Sequence, residues 1–351
     1  MLPLPQPTWP AALLMLGCCT ATSLAAEKLI ATIPGPNFTV PGGGSTRLVS
    51  FKADQPVTGV GFTANWSAVV ADFNNGIAPW SLDLGVTVTA PDGSSLFWKP
   101  IGGEVSIADY PLQDFKRGLP GVGGTGTFTW AFTSYGPPWV AGLSEVRYHL
   151  TTTVPDVVQT FSGSVAQGPL WSRPFSIVGI SGLGPVVYEA MEFEVSVSGG
   201  YEIETLVASG NTFNYLYRGG FDPAQPLQNL LDYGLGNGNH YTGAPAGTGR
   251  ISAMLFEGET YFLVVSQWAA SSPGQSYTTT VVGPGAFIDP NATRPGDLNG
   301  DGLVDGADLA LLLGQWGACP PKGACSGDLD GDGSVGGEDL AILLGNWGSG
   351  G

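Results

Sequence analysis

Residues 296–317 of this 351-residue chain recur as residues 327–348, an offset of 31 positions (327 minus 296). Gly296-Asp-Leu-Asn-Gly-Asp-Gly-Leu-Val-Asp-Gly-Ala-Asp-Leu-Ala-Leu-Leu-Leu-Gly-Gln-Trp-Gly317 aligns with Gly327-Asp-Leu-Asp-Gly-Asp-Gly-Ser-Val-Gly-Gly-Glu-Asp-Leu-Ala-Ile-Leu-Leu-Gly-Asn-Trp-Gly348. Each copy places oxygen donors at loop positions 1, 3 and 5, Gly at 6 and a carboxylate at 12, the ligand spacing of a calcium loop. In the first copy the donors are Asp297, Asn299, Asp301, the Leu303 carbonyl, Asp305 and Asp308. In the second they are Asp328, Asp330, Asp332, the Ser334 carbonyl and Asp339, with Gly336 at position 9, so water must complete the shell. The first loop is therefore expected to bind more tightly. Each loop gathers four Asp carboxylates, and like charges that close oppose folding unless a cation neutralises them. Oxygen-only, flexible ligation favours calcium over zinc, and magnesium would keep more water. Two calcium ions are the expected cofactor. The alternative is a solvated acidic loop, against which the aligned second copy counts.

After each loop the apolar spacing predicts one helix. Leu309, Leu312, Leu313 and Trp316 fall at i, i+3, i+4 and i+7, matched by Leu340, Leu343, Leu344 and Trp347, with Gly317 and Gly348 as stops. Pro290 and Pro295 precede the first loop, and Pro320 and Pro321 the second, so no entering helix is expected. Loop plus single helix, twice, resembles a type I dockerin. That resemblance implies a cohesin-like scaffold protein as partner. The chain departs from the family at loop positions 10 and 11, which are Gly306-Ala307 and Gly337-Glu338, and late in the helices, at Gly314-Gln315 and Gly345-Asn346. Calcium binding carries over residue by residue; cohesin binding does not carry over with the same security.

Upstream, the pattern changes to period two with frequent turns. Val86 and Val88 alternate with Thr87 and Thr89, Ala90-Pro-Asp-Gly93 supplies a turn, and Leu96-Phe-Trp98 resumes a strand. Val146, Tyr148 and Leu150 alternate with Glu145, Arg147 and His149, which places His149 on the outward side. Residues 27–154 are thus expected to form a β-sandwich. Trp80-Ser-Leu-Asp83-Leu, Val86-Thr-Val-Thr-Ala-Pro-Asp92-Gly93, Gly124-Thr-Gly126-Thr-Phe-Thr-Trp130 and Gly142-Leu143 resemble the P domain found beside proprotein convertases, over residues 45–152. The resemblance implies a non-catalytic jelly roll.

A low-charge stretch, residues 155–174, reads as a linker. Beyond it Met191, Phe193, Val195 and Val197 alternate with Glu192, Glu194, Ser196 and Ser198, Tyr201 and Ile203 alternate with Glu202 and Glu204, and Tyr261–Val265 and Ser276–Val282 read as strands. A second sandwich is expected over 175–285, then a linker over 286–295 and the repeat domain over 296–349. Gly200-Tyr201, Asn214-Tyr-Leu-Tyr217, Gly219-Gly-Phe-Asp222-Pro, Gly258-Glu-Thr-Tyr261 and Gly274-Gln-Ser-Tyr277 resemble the bacterial pre-peptidase C-terminal type of sandwich, over residues 165–285. The fold class is therefore mainly β: two jelly-roll-like sandwiches and a small α-helical, EF-hand-like calcium tail.

The N-terminus reads as an export signal, residues 1–26. An apolar run from Ala11 to Cys19 is too short to span a bilayer, and small residues follow at Ser23, Ala25 and Ala26. The n-region has no Lys or Arg, and Met15-Leu-Gly17 before Cys18 is a poor lipidation box. With the leader removed, the chain keeps Cys319 and Cys325, which flank a Pro-Pro-Lys-Gly-Ala turn and could close a ring in an oxidising compartment or stay as free thiols. A secreted or cell-surface address follows. Net charge of -17 with only 12 Lys and Arg excludes nucleic acid and anionic membranes as partners.

Chemistry beyond the loops is harder to find. The two His, His149 and His240, have no Ser or Cys nearby in a recognisable nucleophile setting. Asp72, Glu104, Asp109, Asp114, Asp222 and Asp232 offer carboxylates for a glycosidase, but no spacing singles out a pair. Trp139, Tyr233 and Tyr241 are candidates for exposed sugar contacts, whereas Trp98 and Trp130 read as core. The expected function is non-catalytic attachment, with polysaccharide a candidate ligand of the sandwiches. A carbohydrate-active hydrolase and an accessory to an extracellular serine protease are the alternatives.

Overall fold

The computed structural model describes residues 25–70, 83–99, 109–116, 125–135, 140–207, 211–235, 247–290, 295–299, 304–320 and 325–347. The leader through residue 24 lies outside these, as do Asp72, Trp80, Glu104, Trp139, His240, Tyr241, Asp301 and Leu303. Among the described residues no helix is long and apolar enough to cross a membrane.

The first strands are β1 (Ala26–Pro34), β2 (Phe38–Pro41), β3 (Thr46–Ala53), β4 (Gly59–Val70), β5 (Leu84–Thr89), β6 (Ser95–Trp98), β7 (Tyr110–Lys116), β8 (Gly126–Ser134) and the long β9 (Val140–Val154). Their inward residues follow the pleat: Phe128, Trp130 and Phe132 of β8 are buried while Thr129 and Thr133 face out. The sheet β3-β8-β5-β6 packs against β1-β9-β4-β7, and edge-to-face contacts of Phe62 with Trp130 and Phe132 fill the space between them. Trp98 and Trp130 are core, as the alternation implies. Between β5 and β6 the turn is closed by Gly93 N–H to Ala90 O at 3.0 Å, with Gly93 at φ 87°.

Then come β10 (Val157–Ser164), β11 (Leu170–Trp171), β12 (Pro174–Ser176), β13 (Gly179–Ile180), β14 (Val186–Val195), β15 (Gly199–Val207), β16 (Thr212–Arg218), β17 (Leu230–Leu235), β18 (Thr248–Leu255), β19 (Tyr261–Gln267), β20 (Ser276–Gly283) and β21 (Phe287–Ile288). The sheet β11-β14-β19-β16-β17 packs on β20-β15-β18 around Phe193, Tyr201, Ile203, Tyr261 and Leu263.

Two features differ from the expected string of separate modules. Residues 155–174 are not a linker: β10 pairs with β20 from Val157↔Gly283 to Ser164↔Ser276, and the buried Arg173 donates to the Trp268 carbonyl at 3.0 Å with its guanidinium 4.0 Å from the Phe213 ring centroid. Low charge hid a strand whose outward side carries Val158, Thr160, Ser162 and Ser164 rather than ions. The second feature is that one nine-stranded sheet, β10-β20-β15-β1-β9-β4-β7 with β18 and β2 at its flanks, runs through both sandwiches. Its seam is β1 on β15, with Glu27↔Gly200 and Lys28↔Gly199 in register and Leu29 N–H donating to Ser198 O at 2.8 Å. A Cβ at Gly199 would run into the Glu27 backbone, so only glycine admits this approach.

The tail holds α1 (Gly306–Gly314), β22 (Gly317–Ala318), β23 (Ser334–Val335) and α2 (Gly337–Gly345). Val304 and Leu312, with their repeat mates Val335 and Leu343, are fully or almost fully buried and form its small core. Cys319 and Cys325 are joined as a disulfide with Cα atoms 5.8 Å apart.

Candidate functional site

In the second loop Asp328, Asp330 and Asp332 bring carboxylate oxygens within 4.8 Å of one another. Backbone amides hold them there. Gly331 and Gly333 donate to Asp328 at 2.8 and 3.0 Å, Asp332 to Asp330 at 3.0 Å, and Ser334 to Asp332 at 2.8 Å. These are Asx-type turns, in which an acidic side chain folds the backbone just after it. The amide of Asp332 pulls the Asp330 carboxyl down, but desolvation and the charges of Asp332, Asp339 and Asp328 outweigh it, leaving the pKa raised. Three carboxylates crowded this closely are what a divalent cation relieves.

Position 12 does more than its spacing implies. Asp339 is buried, and its Oδ1 accepts from the amides of Leu329 and Asp330 at 2.6 and 3.2 Å while Oδ2 accepts from Gly336 at 2.6 Å. The Gly336 amide, with those of Leu329 and Asp330, outweighs desolvation and lowers its pKa. Asp308 repeats the pattern with Leu298, Asn299 and Asp305 at 2.8, 3.1 and 2.9 Å. There burial pushes the carboxyl up and the three amides together bring it below the ordinary range. Each of these aspartates ties the start of its loop to the start of its helix, leaving about one of its ~4 acceptor sites for a metal. Asp305 caps α1 by accepting from Ala307 N–H at 2.7 Å. Gly336, its repeat mate, has no side chain to cap α2. Asp297 and Asn299, expected as ligands, lie in the same loop as Asp305 and Asp308, while Asp301 and Leu303 fall outside the described residues. Ser334 starts β23, paired with Ala318 of β22.

The helices end earlier than the apolar spacing predicts. Each stops at its internal glycine, Gly314 or Gly345, and only Leu312 and Leu343 of the expected stripes are buried. Leu313, Trp316, Leu344 and Trp347 are exposed, with Leu311 beside them. Leu309 and Leu340 are half-buried against the four core residues, and the outer part of each stripe faces water.

His149 is not outward-facing. It is fully buried, with Nδ1 3.1 Å from Thr32 Oγ1, Nε2 3.1 Å from Thr63 Oγ1, and the Phe256 ring of the loop after β18 tilted against it at 5.3 Å between centroids. Burial, and then the Arg147 charge, push its pKa down to about 3. Alternation along β9 correctly separates the two faces, but the second sandwich covers the face that the sequence assigns to solvent. Tyr233 is also buried, since β17 pairs with β16 and turns that ring into the core. Of the candidate acids, buried Asp114 accepts from Trp98 Nε1, Asp222 accepts from Ala224 N–H at 2.9 Å within its own turn, and Asp232 is buried on β17. The hydrolase and protease-accessory alternatives gain no observation from them.

Where the sandwiches meet, a cleft of about 490 Å³ (open mouth included) is lined by Thr63, Gln113, Glu145 and Arg147 from the first and by Arg218 and Phe256 from the second. Arg218 is held by Glu259 through contacts of 2.7 and 3.2 Å. Sequence reasoning missed this site because its two walls come from separate stretches of chain, Arg147 and Arg218 being the nearest pair across them at 71 positions (218 minus 147).

No family model matches the chain, and no curated protein matches it. Among solved structures it is similar to the tandem CBM22 domains of Paenibacillus barcinonensis Xyn10C, at 11% identity over 75% of this chain and 100% of that one, TM-score 0.24. It is also similar to the major capsid protein P2 of bacteriophage PM2, at 11% identity over 75% and 99%, TM-score 0.21. A third is the ANXUR2 extracellular domain of Arabidopsis thaliana, at 7% identity over 73% and 89%, TM-score 0.21. Likenesses this weak carry no argument about function.

Proposed function

We propose that this is an exported, non-catalytic attachment protein. Its tail holds two calcium ions and docks on a cell-surface or extracellular scaffold, while the sandwiches bind polysaccharide. The observation that carries the reading is the convergence of Asp328, Asp330 and Asp332 in a loop directly before α2. Their donor set is all oxygen, and the backbone already folds each carboxylate toward the others, which fits a hard, flexibly coordinated cation such as calcium. Asp297, Asn299, Asp301, the Leu303 carbonyl, Asp305 and Asp308 would hold the first ion; Asp328, Asp330, Asp332, the Ser334 carbonyl and Asp339 the second. When bound, calcium neutralises the crowded carboxylates and ties each loop to its helix.

The exposed Leu313, Trp316, Leu344 and Trp347 supply the apolar surface that docking needs. They recur at the repeat spacing, so the tail offers two related contact sets. Resemblance to a dockerin names a cohesin-like module as the expected partner, and the departures at Gly306-Ala307 and Gly337-Glu338 make its specificity the chain's own. The test is capture of the whole mature protein on envelope and secreted fractions of the source cells. Retention of one partner in calcium and its release by chelator is the expected result. Equal retention, or none, in both conditions would refute docking.

A further inference from the structure

The cleft between the sandwiches plays no part in the calcium argument, yet its walls are built as a binding site. Between Ser144 and Arg147 the β9 strand carries one extra residue opposite β4, a β-bulge. Glu145 sits in this bulge at φ 52°, the left-handed region, where glycine is free of strain and a side chain is not. Asn37 Oδ1 fixes it there by accepting its N–H at 2.9 Å. A strained residue held by its surroundings, with its side chain on a cleft, is the pattern expected of a ligand contact.

Two more observations agree. Gln113 Oε1 is buried on the same wall, two strands away on β7, with no donor to it among the described residues, so a group that donates is wanted there. Arg147 has no carboxylate within ion-pair distance among the described residues, although Arg218 is fully engaged by Glu259. The four charges around the cleft, Arg147 and Arg218 against Glu145 and Glu259, cancel, in a chain of net charge -17. A neutral ligand fits a neutral cleft. Carboxylate, amide and guanidinium are each planar and can engage two adjacent hydroxyls at once. Phe256 adds an apolar ring, fixed by Tyr261 Oη accepting its N–H at 3.0 Å.

We infer that this cleft binds a sugar unit of a neutral polysaccharide, with Glu145 and Gln113 accepting from its hydroxyls, Arg147 donating to them, and Phe256 packing on its C–H face. This rests on the reading that the sandwiches bind polysaccharide and assigns the site. The test is titration calorimetry of the full calcium-saturated protein with cellohexaose, xylohexaose, mannohexaose and hexagalacturonate. One neutral hexaose is expected to bind with one-to-one stoichiometry, at least about tenfold tighter than the acidic one. E145G should raise the unfolding midpoint, because it relieves the left-handed strain, and at the same time weaken binding about tenfold or more. R147Q should weaken binding similarly without that gain in stability. Neutral hexaose binding untouched by both substitutions would overturn the cleft assignment and leave polysaccharide binding standing elsewhere on the sandwiches. Preference for hexagalacturonate would overturn the neutral-ligand argument, and binding of none of the four would overturn both readings.

Discussion

His149 keeps its imidazole neutral because both ring nitrogens are engaged by threonines and the ring is shut away from water. Its folded pKa, pushed down to about 3, lies below the ordinary value near 6.5. The unfolded chain therefore takes up a proton that the folded chain refuses. The stability due to this group is complete above about pH 6.5 and is lost as pH falls toward 3, at about 1.4 kcal/mol per pH unit. Urea unfolding of wild type and H149N between pH 6.5 and 5, above most carboxylate titrations, should show that slope only in the wild type. Equal slopes would refute the assignment. Asp339 is the second residue whose role exceeds its spacing, since it closes the loop through three amides. D339N should lower calcium affinity of the second loop by at least about tenfold and leave the first loop near its starting value, read by calorimetry. Unchanged affinity of both loops would contradict the part given to Asp339. Alternation placed Trp98, Trp130 and Tyr148 in the core correctly because one covered face is a local property of a strand. His149 and Tyr233 were misplaced because cover on a strand's other face comes from distant chain.

At the scale of elements, the tail is the most legible part. The repeat marks the loops, and both helices start where the loops end. What the spacing does not tell is how far each helix runs, since the interior glycines weaken the last turn and the tail core takes only the first leucines of each stripe, Leu309 with Leu312 and Leu340 with Leu343. The disulfide is tied to the second loop: Cys325 O accepts from Asp328 N–H at 3.2 Å, and Cys319 N–H donates to Gly333 O at 2.9 Å. Cys319 Sγ also lies 3.6 Å from Asp328 Oδ2, a contact without a proton to share. The paired substitution C319S/C325S should therefore weaken calcium binding at the second loop several-fold and spare the first, measured as the separation of two calorimetric binding steps. Equal weakening of both sites, or of neither, would contradict that coupling.

Across the whole molecule, the shared sheet changes what counts as a unit. β1 is paired with β9 of the first sandwich and β15 of the second, and one apolar cluster runs from Phe62 and Trp130 to Trp171 and Tyr215. Scanning calorimetry should give a single transition for residues 27–285, and G199V, by wedging the seam apart at Glu27, should lower it. Two resolved sandwich transitions would contradict the shared unit. Strand order across so long a chain is not written in local pattern, because which edges meet is decided by contacts far apart in sequence. The mainly β class was readable from alternation; the fusion of the sandwiches, and the cleft it creates, were not.

The most direct test of the proposal that calcium folds the tail is a calcium titration of chelator-stripped protein, followed by calorimetry and by far-ultraviolet circular dichroism. Two equivalents are expected to bind, the first more tightly, with helical signal gained as the tail folds and the strand signal of the sandwiches unchanged. Absence of binding heat, or a helical signal already complete in chelator, would contradict the account.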